Sequence, residues 1–131
     1  MSVSVLLVED EKQVRAMLAD LLTGLGDFVV VAEAATEAEA RLWIEEHPGR
    51  WDLAVVDLVL EQGTGMGIIA KAKEHAGTQR VVVFSDYATP GIRRHCLQLG
   101  ADAVFQKSRQ LEEFKDYCRA LLAQPPTAPR W

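Results

Sequence analysis

Polar residues that could do chemistry stand at the ends of apolar runs. Glu9 and Asp10 follow Val5-Leu6-Leu7-Val8, and Asp57 follows Leu53-Ala54-Val55-Val56. Ser85 follows Val81-Val82-Val83-Phe84, and Lys107 comes just after Ala103-Val104-Phe105-Gln106. Carboxylates brought together repel one another and form a hard-oxygen site suited to Mg²⁺, which offsets their charge. A metal and an ammonium can then stabilise the equatorial oxygens of a transferring phosphoryl group. A central carboxylate can serve as nucleophile, forming an acyl phosphate. A neighbouring hydroxyl can donate to a phosphate oxygen once it arrives. Taken singly, each residue has a plainer reading: Asp10 as the N-cap of a helix, Ser85 as a turn residue, Lys107 as a solvated lysine. Only convergence on one edge of a sheet makes them an acidic pocket.

The elements that must position them alternate. Strands are expected over Ser4–Glu9, Phe28–Ala32, Leu53–Asp57, Arg80–Ser85 and Ala103–Gln106. Three of these contain near-continuous apolar runs, which implies burial on both faces, as in a parallel sheet covered by helices. Between them run helical stripes. Val14, Met17, Leu18, Leu21, Leu22 and Leu25 recur at steps of mostly three and four, closed by Gly24 and Gly26. Thr36 and Glu39 form a capping box before Ala40, Trp43, Ile44 and His47. Ile68, Ile69 and Ala72 mark a third helix. Pro90 opens a fourth, with Ile92, Cys96 and Leu99, that stops at Gly100. Leu111, Phe114, Cys118, Leu121 and Leu122 make the fifth.

The pattern is (βα)5, an α/β chain with a doubly wound five-stranded parallel sheet. In such sheets the functional crevice lies outside the carboxyl ends of the strands. One domain is expected over residues 1–123, with 124–131, which holds three prolines, as a short disordered tail. The chain reads as a stand-alone unit with no linker to a further domain.

At 131 residues and 49% hydrophobic, the composition is that of one globular domain. The net charge is −5, and no basic cluster exists beyond Arg93-Arg94, which argues against direct nucleic-acid binding. No apolar run is long enough to cross a bilayer, and the start lacks a signal-peptide pattern, so a cytoplasmic location is expected. Cys96 and Cys118 fall on apolar helix faces and read as small core hydrophobes, not a disulfide. His47, His75 and His95 share no metal spacing.

Together, Val5-Leu6-Leu7-Val8-Glu9-Asp10, Asp52-Leu53-Ala54-Val55-Val56-Asp57-Leu58, Val82-Val83-Phe84-Ser85 and Gly100-Ala101-Asp102-Ala103…Lys107 resemble the receiver domains of two-component response regulators, across residues 4–123. The resemblance implies the flavodoxin-like strand order 2-1-3-4-5. It makes Asp57 the phospho-acceptor. It assigns Mg²⁺ to Asp10, Asp57 and the backbone carbonyl of Val59, with Glu9 acting largely through water. Ser85 and Lys107 would bind phosphoryl oxygens. A histidine kinase or histidine phosphotransfer protein would supply the phosphate, and an output protein would read a surface built from the fourth helix, fifth strand and fifth helix.

Departures from the family pattern are specific. The family's switch aromatic, three residues before the lysine, is here Val104, while Phe105 comes one later and should point to the opposite face. Asp86 follows Ser85 where a very small residue is usual. Ser108 replaces a proline that commonly follows the lysine with a cis peptide, and a non-prolyl cis bond costs about 3–4 kcal/mol. Val59 and Tyr87, two residues beyond the acceptor and the serine, are expected to gate access and slow hydrolysis. Arg93, Arg94, Val104 and Phe105 are the candidate output surface. Monomer and phosphorylation-dependent dimer both remain open.

The expected function is thus a single-domain switch rather than a turnover enzyme. The alternative is a pseudo-receiver, a phosphorylation-independent adaptor or dimerisation module, which the missing aromatic favours and the intact acidic set opposes. An aspartyl-phosphate phosphatase would want an acid where Val59 stands, and a flavin protein would not place Glu9-Asp10-Glu11 against a phosphate.

Overall fold

A computed structural model of the chain describes residues 2–74 and 77–124. His75 and residues 125–131 of the expected tail lie outside the described residues. The elements alternate: β1 (Val3–Val8), α1 (Lys12–Leu25), β2 (Phe28–Ala34), α2 (Glu37–Glu46), β3 (Leu53–Val56), α3 (Gly65–Lys73), β4 (Arg80–Phe84), α4 (Pro90–Leu99), β5 (Ala103–Phe105) and α5 (Leu111–Ala123). The five strands are parallel in the order β2-β1-β3-β4-β5, as expected.

Strand alternation divides the core in two. Leu6, Val8, Ala54, Val56, Val81, Val83 and Val104 face α2, α3 and α4, meeting Ile44, Ile68, Ile69 and Cys96. Val3, Val5, Leu7, Leu53, Val55, Val82 and Phe84 face α1 and α5, meeting Leu18, Leu22, Phe114 and Cys118. The free cysteines therefore sit in separate cores, which excludes a bond between them. Burial pushes the Cys118 thiol up to about 12, so it packs as a hydrophobe.

Caps explain several boundaries. Thr36 accepts a bond from the Glu39 N–H (3.2 Å), while the Glu39 carboxylate reaches the Ala35 N–H rather than that of Thr36, so the capping box is only half formed. Thr89 accepts from Ile92 and Pro90 fills the first turn of α4. Gly100 closes that helix at φ +115°, a conformation only glycine adopts without strain.

Three expectations are corrected. Gly24 lies inside α1, and Gly26 alone caps it. Met17 and Leu111 belong to helical stripes by spacing yet are exposed, because α1 buries the Leu18–Leu22 line and α5 the Phe114–Cys118–Leu121 line. Strand β2 runs two residues further, and its register with β1 slips at Val31: Val5 pairs with Val30, but Leu6 pairs with Ala32. A bulge of this kind turns the later residues over. Phe28 and Val30 thus join the α1/α5 core, whereas Ala32 and Ala34 join the other. Glu33 is left facing α1.

Candidate functional site

Four of the five strands stop one residue earlier than their sequence pattern suggests, and the polar residue lies in the first position beyond. Glu9 follows Val8, Asp57 follows Val56, Ser85 follows Phe84, and Gln106 follows Phe105. The first three are still held by the sheet. The N–H of Glu9 donates to Ala34, that of Asp57 to Val8, and that of Ser85 to Phe105, each at 3.0 Å. The sheet thereby fixes their backbones while freeing their side chains from the pleat.

The carboxylates of Glu9, Asp10 and Asp57 converge, with one oxygen of each within 4.8 Å of the others. Lys107 reaches in from beyond β5. Its Nζ donates to Glu9 Oε1 at 2.6 Å and to Asp57 Oδ2 at 2.8 Å. Burial raises the Glu9 pKa above its ordinary range, outweighing the Lys107 bond that works the other way. Burial also opposes the Lys107 charge, yet the bonds to Asp57 and Glu9 carry its pKa above the ordinary value. The two directions agree: one ammonium shared by several acids is held firmly, while the most buried acid remains undercompensated.

Three ionised carboxylates against one ammonium leave the cluster two negative charges in excess, and all its donors are hard oxygens. That charge and donor set fit a divalent hard cation such as Mg²⁺. Asp10 does not cap α1: the cap position is Glu11, whose own side chain makes no cap bond and whose N–H donates to Glu9 Oε2 at 3.0 Å. The acids at the opposite end of the sheet behave differently. Asp52 accepts from the Ser4 N–H, and Asp102 from the Val81 N–H and Lys73, so each ties strands together.

Sequence spacing did not reveal several supports of this rim. Arg15 lies behind it, with Nη1 donating to the carbonyls of Glu9 (2.7 Å) and Asp10 (3.3 Å) and Nε to Glu33 (3.1 Å). Gly65 packs so closely under Asp57 that a Cβ there would strike the Asp57 carbonyl. Glu37, at the start of α2, accepts from the Thr64 N–H (2.9 Å) and donates its own N–H to Gln62 (3.1 Å), fastening the loop after Asp57. Arg15 carried a readable signal, a cation on the first turn of the helix that follows the acids; the other two depend on long-range packing.

Ser85 is fully buried, and its Oγ accepts from the Tyr87 N–H at 3.3 Å. Asp86 is exposed and accepts from the Ser108 N–H at 2.8 Å. Peptide bonds are trans throughout the described residues. Val59 (48% exposed) and Tyr87 (57%) are open to solvent, and the Val59 N–H points to Asp57 Oδ1 at 3.4 Å. The expected output surface is corrected in part. Arg93 and Arg94 are exposed, although Arg93 Nη1 also donates to the Val104 carbonyl at 2.6 Å. Val104 is wholly buried, because β5 directs it into the α2–α4 core, and Phe105 packs from the other face against Phe114 and Tyr117. Val104 thus offers no free surface, while Phe105 is half-buried.

The response regulator receiver domain model matches residues 5–119. This chain belongs to that family. The receiver is 32% identical over 124 residues to the response regulator Rre1 of Synechocystis sp., covering 93% of this chain and 52% of the relative. It spans about half the length of the curated relatives it matches. A LuxR-family two-component response regulator from Aurantimonas sp. superposes with a TM-score of 0.82 at 26% identity, covering 94% and 86% of the two chains. A chain from the structure of the P1 domain of CheA3 in complex with CheY6 from R. sphaeroides gives 0.73 at 29% identity, covering 94% and 99%. No helix among the receiver's described residues is long and apolar enough to cross a membrane.

Proposed function

We propose that this receiver is a Mg²⁺-dependent phosphorylation switch whose acceptor is Asp57. The observation that carries the reading is Lys107 Nζ bridging Asp57 and Glu9 beside a three-carboxylate cluster. Glu9, Asp10, Asp57 and the Val59 carbonyl would hold Mg²⁺, with Glu9 largely through water; the ion supplies charge neutralisation for the incoming phosphoryl oxygens. Asp57 attacks phosphorus with a carboxylate oxygen. The new P–O bond forms as the bond to the donor breaks, and the leaving electron pair stays with the donor, a phosphohistidine imidazole or a small acyl phosphate. Lys107 then trades its Asp57 bond for a phosphoryl oxygen, and the Ser85 hydroxyl donates to another. Residues 1–123 act as the receiver unit.

The natural donor is a histidine kinase or histidine phosphotransfer protein, a reading supported by the CheA3 P1 domain bound to CheY6 in the R. sphaeroides structure. Charge added at the strand ends biases α4, β5 and α5, where Arg93 joins α4 to the Val104 carbonyl, toward an output protein. One observation favours the second reading, a phosphorylation-independent adaptor. Val104 is sealed in the core where an aromatic would otherwise move, so this route of communication is closed.

Intact mass after incubation with Mg²⁺ and acetyl phosphate separates the two. One phosphoryl adduct on the wild type, absent in Asp57→Asn and after chelation, supports the switch. No adduct, together with no spectral response to beryllofluoride and Mg²⁺, favours the adaptor.

A further inference from the structure

The β4–β5 ladder ends where the Ser85 N–H meets the Phe105 carbonyl, but the two strands stay connected beyond it through side chains. Asp86 Oδ1 accepts the Ser108 N–H at 2.8 Å, and Gln106 Nε2 donates to the Ala88 carbonyl at 3.4 Å. Gln110 in turn accepts from the Gln106 N–H at 2.9 Å. Asp86 adjoins Ser85 and Ser108 adjoins Lys107, so one short charge-assisted bond joins the loops that carry the site's hydroxyl and its ammonium. This bond needs a residue with an N–H after Lys107 and a carboxylate after Ser85, and the chain has both.

From this geometry we infer that Asp86 is a positioning residue for Lys107, an inference that rests on Asp57 being the phosphoacceptor. Anchoring the backbone at Ser108 fixes the start of a long flexible side chain whose Nζ must span Glu9 and Asp57. Without the anchor, Lys107 keeps its charge but loses its aim. A misplacement of about 1 Å is enough to cost up to roughly a hundredfold in rate where positioning carries the catalysis. Asp86 is exposed and outside both cores, so its replacement leaves the fold in place.

The competing role is electrostatic: Asp86 as a negative charge that repels an anionic donor. Three variants separate them. Asp86→Ala removes charge and acceptor, Asp86→Asn removes charge but keeps the acceptor oxygen, and Lys107→Met removes the group said to be positioned. Positioning predicts that Asp86→Ala slows phosphorylation by acetyl phosphate on the order of tenfold, that Asp86→Asn restores most of the rate, and that Asp86→Ala adds nothing in the Lys107→Met background. Equal acceleration by Asp86→Ala and Asp86→Asn, or an undiminished effect of Asp86→Ala without Lys107, overturns it.

A second readout needs no phosphorylation. The Lys107 ammonium protons should be visible by ¹H–¹⁵N NMR in metal-free wild type and Asp86→Asn, where hydrogen bonds slow their exchange, and be lost in Asp86→Ala. If wild type takes no phosphoryl group, the phosphoacceptor reading fails while this NMR contrast still decides the positioning. If the signal is unchanged in Asp86→Ala, the positioning inference fails even when Asp57 is phosphorylated.

Discussion

Lys107 and Asp57 face each other at 2.8 Å across fifty positions of sequence. The surface i,i+3 pairs on α5, Lys115–Glu112 and Arg119–Asp116, are each worth only about 0.2–0.5 kcal/mol. The Lys107 pair differs because its acids are buried, Glu9 with 2% of its surface exposed. Removing one member of a buried pair typically costs about 3–5 kcal/mol. Lys107→Met is therefore expected to lose about 3 kcal/mol in EDTA, discounted for the partial exposure of the lysine. Asp57→Asn should gain stability by relieving the cluster's excess charge. Urea unfolding of both variants checks this, and a Lys107→Met protein as stable as wild type would refute it.

Stability should also depend on pH through Glu9. Its folded-state pKa lies above the ordinary 4.5, with burial as the main cause. The folded protein then binds that proton more tightly than the unfolded chain. The contribution is full below 4.5 and is lost as pH rises through the raised value. Mg²⁺ requires the ionised acids, so metal stabilisation should grow over the same interval, reaching about 2.7 kcal/mol at a hundredfold excess over Kd. Melting curves of wild type and Glu9→Gln, with Mg²⁺ and with EDTA, test this. A Mg²⁺ effect that does not change with pH would contradict it.

Arg15 holds the Glu9 and Asp10 carbonyls and is itself held by Glu33. Groups that orient metal ligands from behind commonly alter affinity by about 10–100-fold. Arg15→Ala is expected to weaken Mg²⁺ binding about tenfold, and Glu33→Gln to weaken it less. Calorimetric titration measures both. Unaltered binding in Arg15→Ala would leave that residue a role in folding alone.

Val59 and Tyr87 are exposed, and their N–H groups donate to Asp57 Oδ1 and Ser85 Oγ respectively. If the two side chains hinder an attacking water, as expected from the sequence, they should prolong the phosphorylated state. Replacing both with small polar residues is expected to speed loss of the phosphoryl group by up to about tenfold, equivalent to ~1.4 kcal/mol of barrier. Timed phosphate release after donor removal supplies the rate. A half-life equal to that of wild type would mean that they do not gate the site.

The five parallel strands and the placing of Glu9, Asp10, Asp57, Ser85 and Lys107 at their carboxyl ends were legible because strands buried on both faces leave an unbroken apolar signal that ends abruptly, whereas the strand order came from the family resemblance. Boundaries erred by one residue there, since a polar residue just past the ladder still keeps one backbone bond to the neighbouring strand. Met17 and Leu111 fit the helical spacing and are nevertheless exposed, which depends on how each helix is rolled against the sheet. Val104 stands at the position of the family's switch aromatic, and strand alternation puts it in the core. Gly65 and Asp86 act on backbone atoms outside their own elements, and such partners leave no periodicity to read.

The slipped register at Val31 also matters for how the molecule keeps company with others. Strand β2 forms one margin of the sheet and displays Val29 and Val31 to solvent. A regular apolar margin invites a foreign chain to add itself and begin fibrillar growth. At Val31 the spacing of donors and acceptors breaks, so an incoming strand cannot stay in step along the whole length. The irregularity that turns Glu33 toward Arg15 thereby also spoils the template.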